Sequence, residues 1–191
     1  MQVPPAIALL EFESIAVGTT AADAMVKKAP LDAFRAGTVQ PGKYIVLVGG
    51  SVAAVEESYR EGLRVGAEAL SDESFLPDVH KQVYDAAGGR RLAGEGEALG
   101  LVETSSIPSN VVAADKAVKA AEVTIVEMRL GDGLGGKGIT HFVGRLHQVQ
   151  AAMEAAVAAV TRPGVTLRQT IIPSLDGWVR NRLAATTEFH R

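Results

Sequence analysis

The stretch Gly131-Asp132-Gly133-Leu134-Gly135-Gly136-Lys137-Gly138 holds the residue types of a phosphate-binding loop. Glycines let backbone N–H groups turn toward an anion, and a lysine after them adds positive charge. Gly131, Gly136 and Lys137 sit at the expected spacing, but Gly138 stands where a serine or threonine would hold magnesium. A strand-like run, 139–143, follows, whereas a phosphate loop opens onto a helix N-terminus. The stretch therefore reads as a hairpin loop whose glycines let backbones crowd together or offer N–H groups to an anion. His141 and His147 fall on a predicted strand and a predicted helix, with no carboxylate at a ligand spacing beside them. They read as structural or surface histidines, as do the isolated His80 and His190. Ser, His and Asp residues are present without a nucleophile-elbow pattern. No convergent nucleophile, base and electrostatic stabiliser can be named, so catalysis and a metal site are not expected.

The composition narrows the classes further. There is no cysteine, which excludes disulfides, zinc–thiolate sites and ordinary iron–sulfur ligation. Net charge is −3, and no basic stripe is present to neutralise a nucleic-acid backbone. No apolar run is long enough for a bilayer, and the first residues lack a signal-peptide pattern, so a cytosolic chain is expected. Hydrophobic residues make up 47% and charged residues 21%, enough for a folded core. Aromatics are only 5%, beside many Ala and Gly residues that allow close packing.

The elements that must position these residues come from an internal repeat. With a shift of 92 positions, Leu9, Glu11, Ser14 and Ile15 fall on Leu101, Glu103, Ser106 and Ile107. In that register Asp23, Val26 and Lys27 fall on Asp115, Val118 and Lys119. With a shift of 94, Gly42-Lys43 meets Gly136-Lys137, and Val52, Val55, Tyr59 and Leu63 meet Leu146, Val149, Met153 and Val157. That spacing is one face of a helix in each half. With a shift of 96, Pro77 meets Pro173 and Val83 meets Val179. Each half reads as a strand (7–12; 99–104), an Ala-rich helix (21–29; 111–121) and a second strand, 124–130 in the second half. A third strand (44–48; 139–143), a second helix, a strand ending at Pro77 or Pro173 and a short helix follow. In 124–130 the even positions alternate with Ile125, Glu127 and Arg129 as in a one-sided strand. The order is the ferredoxin-like split motif, and the fold class is α/β in the α+β sense. It predicts, twice in tandem, an antiparallel sheet with helices on one face, the other face being left for a partner or solvent. Expected units are 6–87 and 98–183, joined by a linker at 88–97 and followed by a tail at 184–191.

Ala21-Ala22-Asp23-Ala24-Met25-Val26-Lys27, with Gly50, Val52 and Val55 downstream, resembles the signature of bacterial microcompartment shell proteins. The second half repeats it as Ala113-Ala114-Asp115-Lys116-Ala117-Val118-Lys119, with Gly144, Leu146 and Val149. Two such domains in one chain resemble the tandem-domain, trimer-forming class, in its non-permuted branch. The resemblance implies a homotrimer forming a flat pseudohexameric tile that packs with other shell proteins around a central pore for small metabolites. It places Thr38, Val39, Gln40, Pro41 and Gly42 at the pore from one half, and Leu134, Gly135, Gly136 and Lys137 from the other. It places Asp23, Lys27, Asp115 and Lys119 at the tile edge. The edge arginine frequent in the family is missing from Pro77-Asp78-Val79-His80 and from Pro173-Ser174-Leu175-Asp176. Some tandem relatives carry an iron–sulfur cluster at the pore, a role this cysteine-free chain does not support, and no cofactor is expected. From loop composition, Gln40 with Lys43 and Lys137 behind it suggests passage of neutral or anionic solutes. The alternative is a regulatory trimer of ferredoxin-like domains whose Gly-Lys loops bind a small ligand or nucleotide.

Overall fold

The computed structural model describes residues 4–185, 187 and 188; His190 and the end of the expected tail lie outside them. The first half runs β1 (Ala6–Phe12), α1 (Ile15–Lys28), β2 (Ala33–Val39), β3 (Lys43–Gly50), α2 (Val52–Gly66), β4 (Leu70–Leu76) and α3 (Lys81–Ala87). The second runs β5 (Ala98–Thr104), α4 (Ile107–Ala120), β6 (Thr124–Leu130), β7 (Gly138–Gly144), α5 (Leu146–Ala159), β8 (Leu167–Ile172) and α6 (Gly177–Ala185). The two sheets have the orders β2-β3-β1-β4 and β6-β7-β5-β8, and every pairing is antiparallel. The split motif is present twice.

Both Ala-rich helices start earlier than their apolar spacing suggests. Ser14 and Ser106 are their N-caps, with Ser14 Oγ accepting from Val17 N and Ser106 Oγ from Ser109 N. The cap fixes the first turn before the apolar face begins, and Pro108 fits there because no intrahelical donor is needed. In β6 the predicted alternation fails. The register shifts between Ile125 and Glu127, and Ile125, Glu127 and Met128 are all buried.

In the first half α1 and α2 cover one face of the sheet. Ala6, Ala8, Leu10, Phe12, Val46 and Val48 pack there against Ala21, Ala22, Met25 and Val55. A side chain at Gly66 would collide with the Phe12 ring, so helix and strand sit closer than a bulkier sequence allows. The opposite face is not open along β1. Ile7, Leu9 and Leu47 share one apolar cluster with Val83 and Ala86 of α3, and that cluster runs on into Ile107, Val111 and Phe142 of the second half. The cause lies in the strand itself. Ala6 to Leu10 is apolar at every position, which suits a strand buried on both sides.

The joint between the halves is polar at its centre. Glu11 Oε2 accepts from Ile107 N at 2.8 Å, at the N-terminus of α4. Asp72 accepts from Ser109 N at 3.1 Å, from Ser109 Oγ at 2.6 Å and from Ser106 Oγ. Both acids are buried, and both lie where the helix dipole favours negative charge. Arg162, in the loop before β8, reaches Glu73 at 3.0 Å and Asp72 at 3.6 Å. The Gln82 amide donates to Val123 O at 3.1 Å and accepts from Ile125 N at 2.9 Å, occupying the free edge near β6. Removing the Asp72 carboxylate strands several buried donors at once. We expect Asp72→Ala to lose about 3 kcal/mol or more of stability, read as a lower urea midpoint; an unchanged midpoint overturns this account of the joint.

Candidate functional site

The two glycine-containing loops lie side by side. The turn at 40–42 joins β2 to β3, and Gly42 N donates to Val39 O at 3.0 Å. Thr38, Gln40, Pro41 and Gly42 are exposed and Val39 is half-buried. The loop 131–137 joins β6 to β7 and folds on itself. Gly131 N donates to Lys137 O at 3.0 Å, and the N–H groups of Leu134, Lys137 and Gly136 are taken by Gly131 O or Leu134 O. A Cβ on Gly136 would lie 2.8 Å from Gln40 O, and one on Gly131 would lie 2.8 Å from Val39 Cβ. Both residues also have positive φ, 83° and 87°, so glycine is required for conformation as well as for close approach. Gly131 and Gly136 thus bring the second-half loop against Val39, Gln40 and Pro41, while Gly135 stands clear of any neighbour.

This geometry bears on phosphate binding. Much of the loop's N–H inventory is used internally, and β7 rather than a helix follows. A phosphate-binding cradle needs the opposite of both. The lysines are also occupied. Lys43 Nζ lies 2.5 Å from Glu11 and 3.3 Å from Glu13, and Lys137 Nζ lies 2.7 Å from Glu103. Glu11 and Glu103, repeat equivalents in the sequence, therefore have equivalent work. Each holds the lysine at the base of its own loop. Glu11 also reaches α4, so one buried carboxylate ties a loop to the joint between the halves. Burial pulls the Lys43 ammonium down, but the bond to Glu11 and the charges of Glu11 and Glu13 outweigh it and raise its pKa above the ordinary value.

The four residues expected at an edge divide into two environments. Asp115 is buried in the joint and accepts from His80 N at 2.9 Å. Lys119 pairs with Asp115 at 2.7 Å and donates to Asp78 O, its side chain partly exposed at the end of the joint. Asp23 and Lys27 pair with each other at 2.6 Å and are exposed. The contrast runs along both helices and beyond. Ile107 is 0% exposed and its equivalent Ile15 is 43% exposed. On the other side of the repeat, Val83 is 0% exposed and Val179 is 45% exposed. Strand β4 is buried at every second residue, whereas β8 is mostly exposed.

The remaining candidates have structural places. His80 Nδ1 caps α3 by accepting from Gln82 N. His147 is on α5, and His141 is buried with Nδ1 3.2 Å from Glu127. Burial pushes the Glu127 carboxyl up, but the bond to His141 and the Arg91 guanidinium prevail and hold it below the usual range. Among the described residues no group of three or more His, Asp or Glu side chains could hold a metal. The loops offer no thiolate for an iron–sulfur cluster, so the residues do not fit one. Among the described residues no helix is long and apolar enough to cross a membrane.

The Lys43 shift has a definite sign. Its folded pKa is raised, so the pair's contribution is complete below about pH 10.4 and is lost as pH rises through the folded value. The difference in Tm between the native chain and Lys43→Met should stay level from about pH 7 to 9 and shrink above about 10.5. A difference that grows with pH contradicts the pairing.

The model of the BMC domain matches residues 6–79 and again residues 98–175. The bacterial microcompartment shell protein PduT of Citrobacter freundii is 35% identical over 168 residues, covering 88% of this chain and 91% of that protein. The crystal structure of a microcompartment protein from Desulfitobacterium hafniense DCB is 40% identical and superposes with a TM-score of 0.81, over 93% of this chain and 98% of that one. A fused, permuted hexameric shell protein of the RMM microcompartment, 19% identical, shares the fold with a TM-score of 0.57 over 80% of each chain. With a BMC domain in each half and close likeness to these proteins, the chain belongs to the family of bacterial microcompartment shell proteins and is a structural shell component, not an enzyme.

Proposed function

We propose that three copies of this chain close head-to-tail into a pseudohexameric tile with a pore at its centre. One observation carries the reading. The surfaces that the two halves bury against each other recur, exposed, at the two outer faces of the chain: Ile15 and Asp23 on one side, Ile172 and Val179 on the other. A contact that is head-to-tail within a chain can be repeated between chains, and such a contact closes into a ring when its rotation allows. In this tile the paired loops meet at the axis. Thr38 to Gly42 and Leu134 to Lys137 line the pore, and the crowding at Gly136 keeps the two loops together. Asp23 and Lys27 take the place at the copy-to-copy joint that Asp115 and Lys119 take inside the chain. The two lysines end at the rim, where other shell proteins adjoin.

The pairing of Lys43 and Lys137 with carboxylates sharpens the solute class. Their charge is largely compensated, so the pore favours small neutral polar metabolites over anions. The ring is tested by light scattering on the purified protein. A particle of three times the 19.9 kDa chain is expected, and a stable monomer at micromolar concentration refutes it. The pore assignment is tested with Gln40→Glu, which puts one added carboxylate per chain at the mouth. Conductance through assembled protein in a planar bilayer should shift toward cations; unchanged selectivity removes Gln40 from the lining.

A further inference from the structure

The two halves differ in charge at matched positions of the joint, and the difference has a direction. Inside the chain the socket is formed by the first half's edge strand β4, and the inserted face is the N-terminal part of α4 with the loop before β8. Asp72 on the socket faces Arg162 on the inserted side. Strand register identifies the counterparts. Asp72 stands opposite Glu11 on β1, and Arg168 stands opposite Glu103 on β5, so Arg168 occupies the Asp72 position in the second half. Counting from the aligned helices α2 and α5, Glu68 falls at the Arg162 position, in a single helical turn (Ala67–Ala69) where the second half has a longer loop. Acid has become base on the socket, and base has become acid on the inserted side. Both Glu68 and Arg168 are exposed in the single chain.

We infer that Glu68 of one copy pairs with Arg168 of the next, and that this reversed pair dictates which half may join which. The inference rests on the ring proposed above. With it, each allowed joint brings opposite charges together: Arg162 with Asp72 inside the chain, Glu68 with Arg168 between chains. Each wrong joint brings like charges together. A first half inserted on another first half sets Glu68 against Asp72 and Glu73. A second half inserted on another second half sets Arg162 against Arg168. Like charges facing each other penalise wrong partners more than matched pairs strengthen right ones. The alternation of halves around the ring is therefore written in four residues.

The joint carries its own reporter. Trp178 is the chain's single tryptophan, is 87% exposed, and stands at the position of Gln82, which the internal joint holds half-buried on the β6 edge. On assembly it should be covered.

The test uses the full chain and three variants: Glu68→Arg, Arg168→Glu and the two combined. Circular dichroism checks folding, and both residues are exposed. Native mass spectrometry and light scattering across a dilution series give the concentration at which assemblies dissociate, and Trp178 emission follows the same series. Each single variant is expected to raise that concentration about tenfold or more at low salt, with emission moving to the red; the combined variant restores both. Singles that assemble like the native chain overturn the pairing while leaving the ring intact. Singles that fail without rescue by the combined variant also overturn it. A native chain that stays monomeric throughout overturns the ring itself, and the pairing with it.

Discussion

The carboxylates of Glu11 and Asp72 meet the first turn of α4, and the relation of the two halves depends on that meeting. A buried carboxylate is costly unless donors surround it. Here the donors are backbone N–H groups that a helix leaves unpaired at its start, together with serine hydroxyls and the lysine at the base of a loop. Each group removes a cost from the other. Apolar surface drives the halves together, but apolar contact alone permits sliding. The acids fix the angle and register, because the donors they satisfy are at one end of one helix.

That constraint explains why the second half is more deeply packed than the first. Helix α4 is enclosed by its own sheet, by α5 and by the first half, so ten of its residues are buried against four in α1. The two helices share Ile, Ala-Ala-Asp and Val-Lys at matched positions, but their surroundings differ. Exposure is here a property of position in the assembly and not of residue type. Ile15 and Ile107 are the same residue with the same cap before it, one open and one enclosed.

The fold was legible because it is stated twice. Apolar spacing in α2 and α5, the paired Gly-Lys loops and the prolines after the fourth strands each gain weight from recurrence. Helix starts were displaced because capping by Ser14 and Ser106 is a local hydrogen bond that apolar periodicity does not register. The bulge in β6 has no mark in the apolar pattern either: it is a break in the pairing with β7, and Glu127 beside it meets Arg91 of the linker. The joint leaves little mark in the repeat because Asp72, Arg162 and Gln82 have no identical counterpart in the other half. Lys43 and Lys137 stand out in the sequence, but their neutralisation does not, since Glu11 and Glu103 lie 32 and 34 positions away and meet them only across paired strands.

The linker between the halves does more than connect them. Because the two halves share one chain, the internal joint forms at an effective concentration set by the tether, independent of how much protein is present. In the proposed ring every second joint is therefore made before any two molecules meet. Only the contacts between copies follow mass action, which concentrates control of assembly in the outer faces and leaves the enclosed joint free to change its residues without altering the concentration at which rings appear.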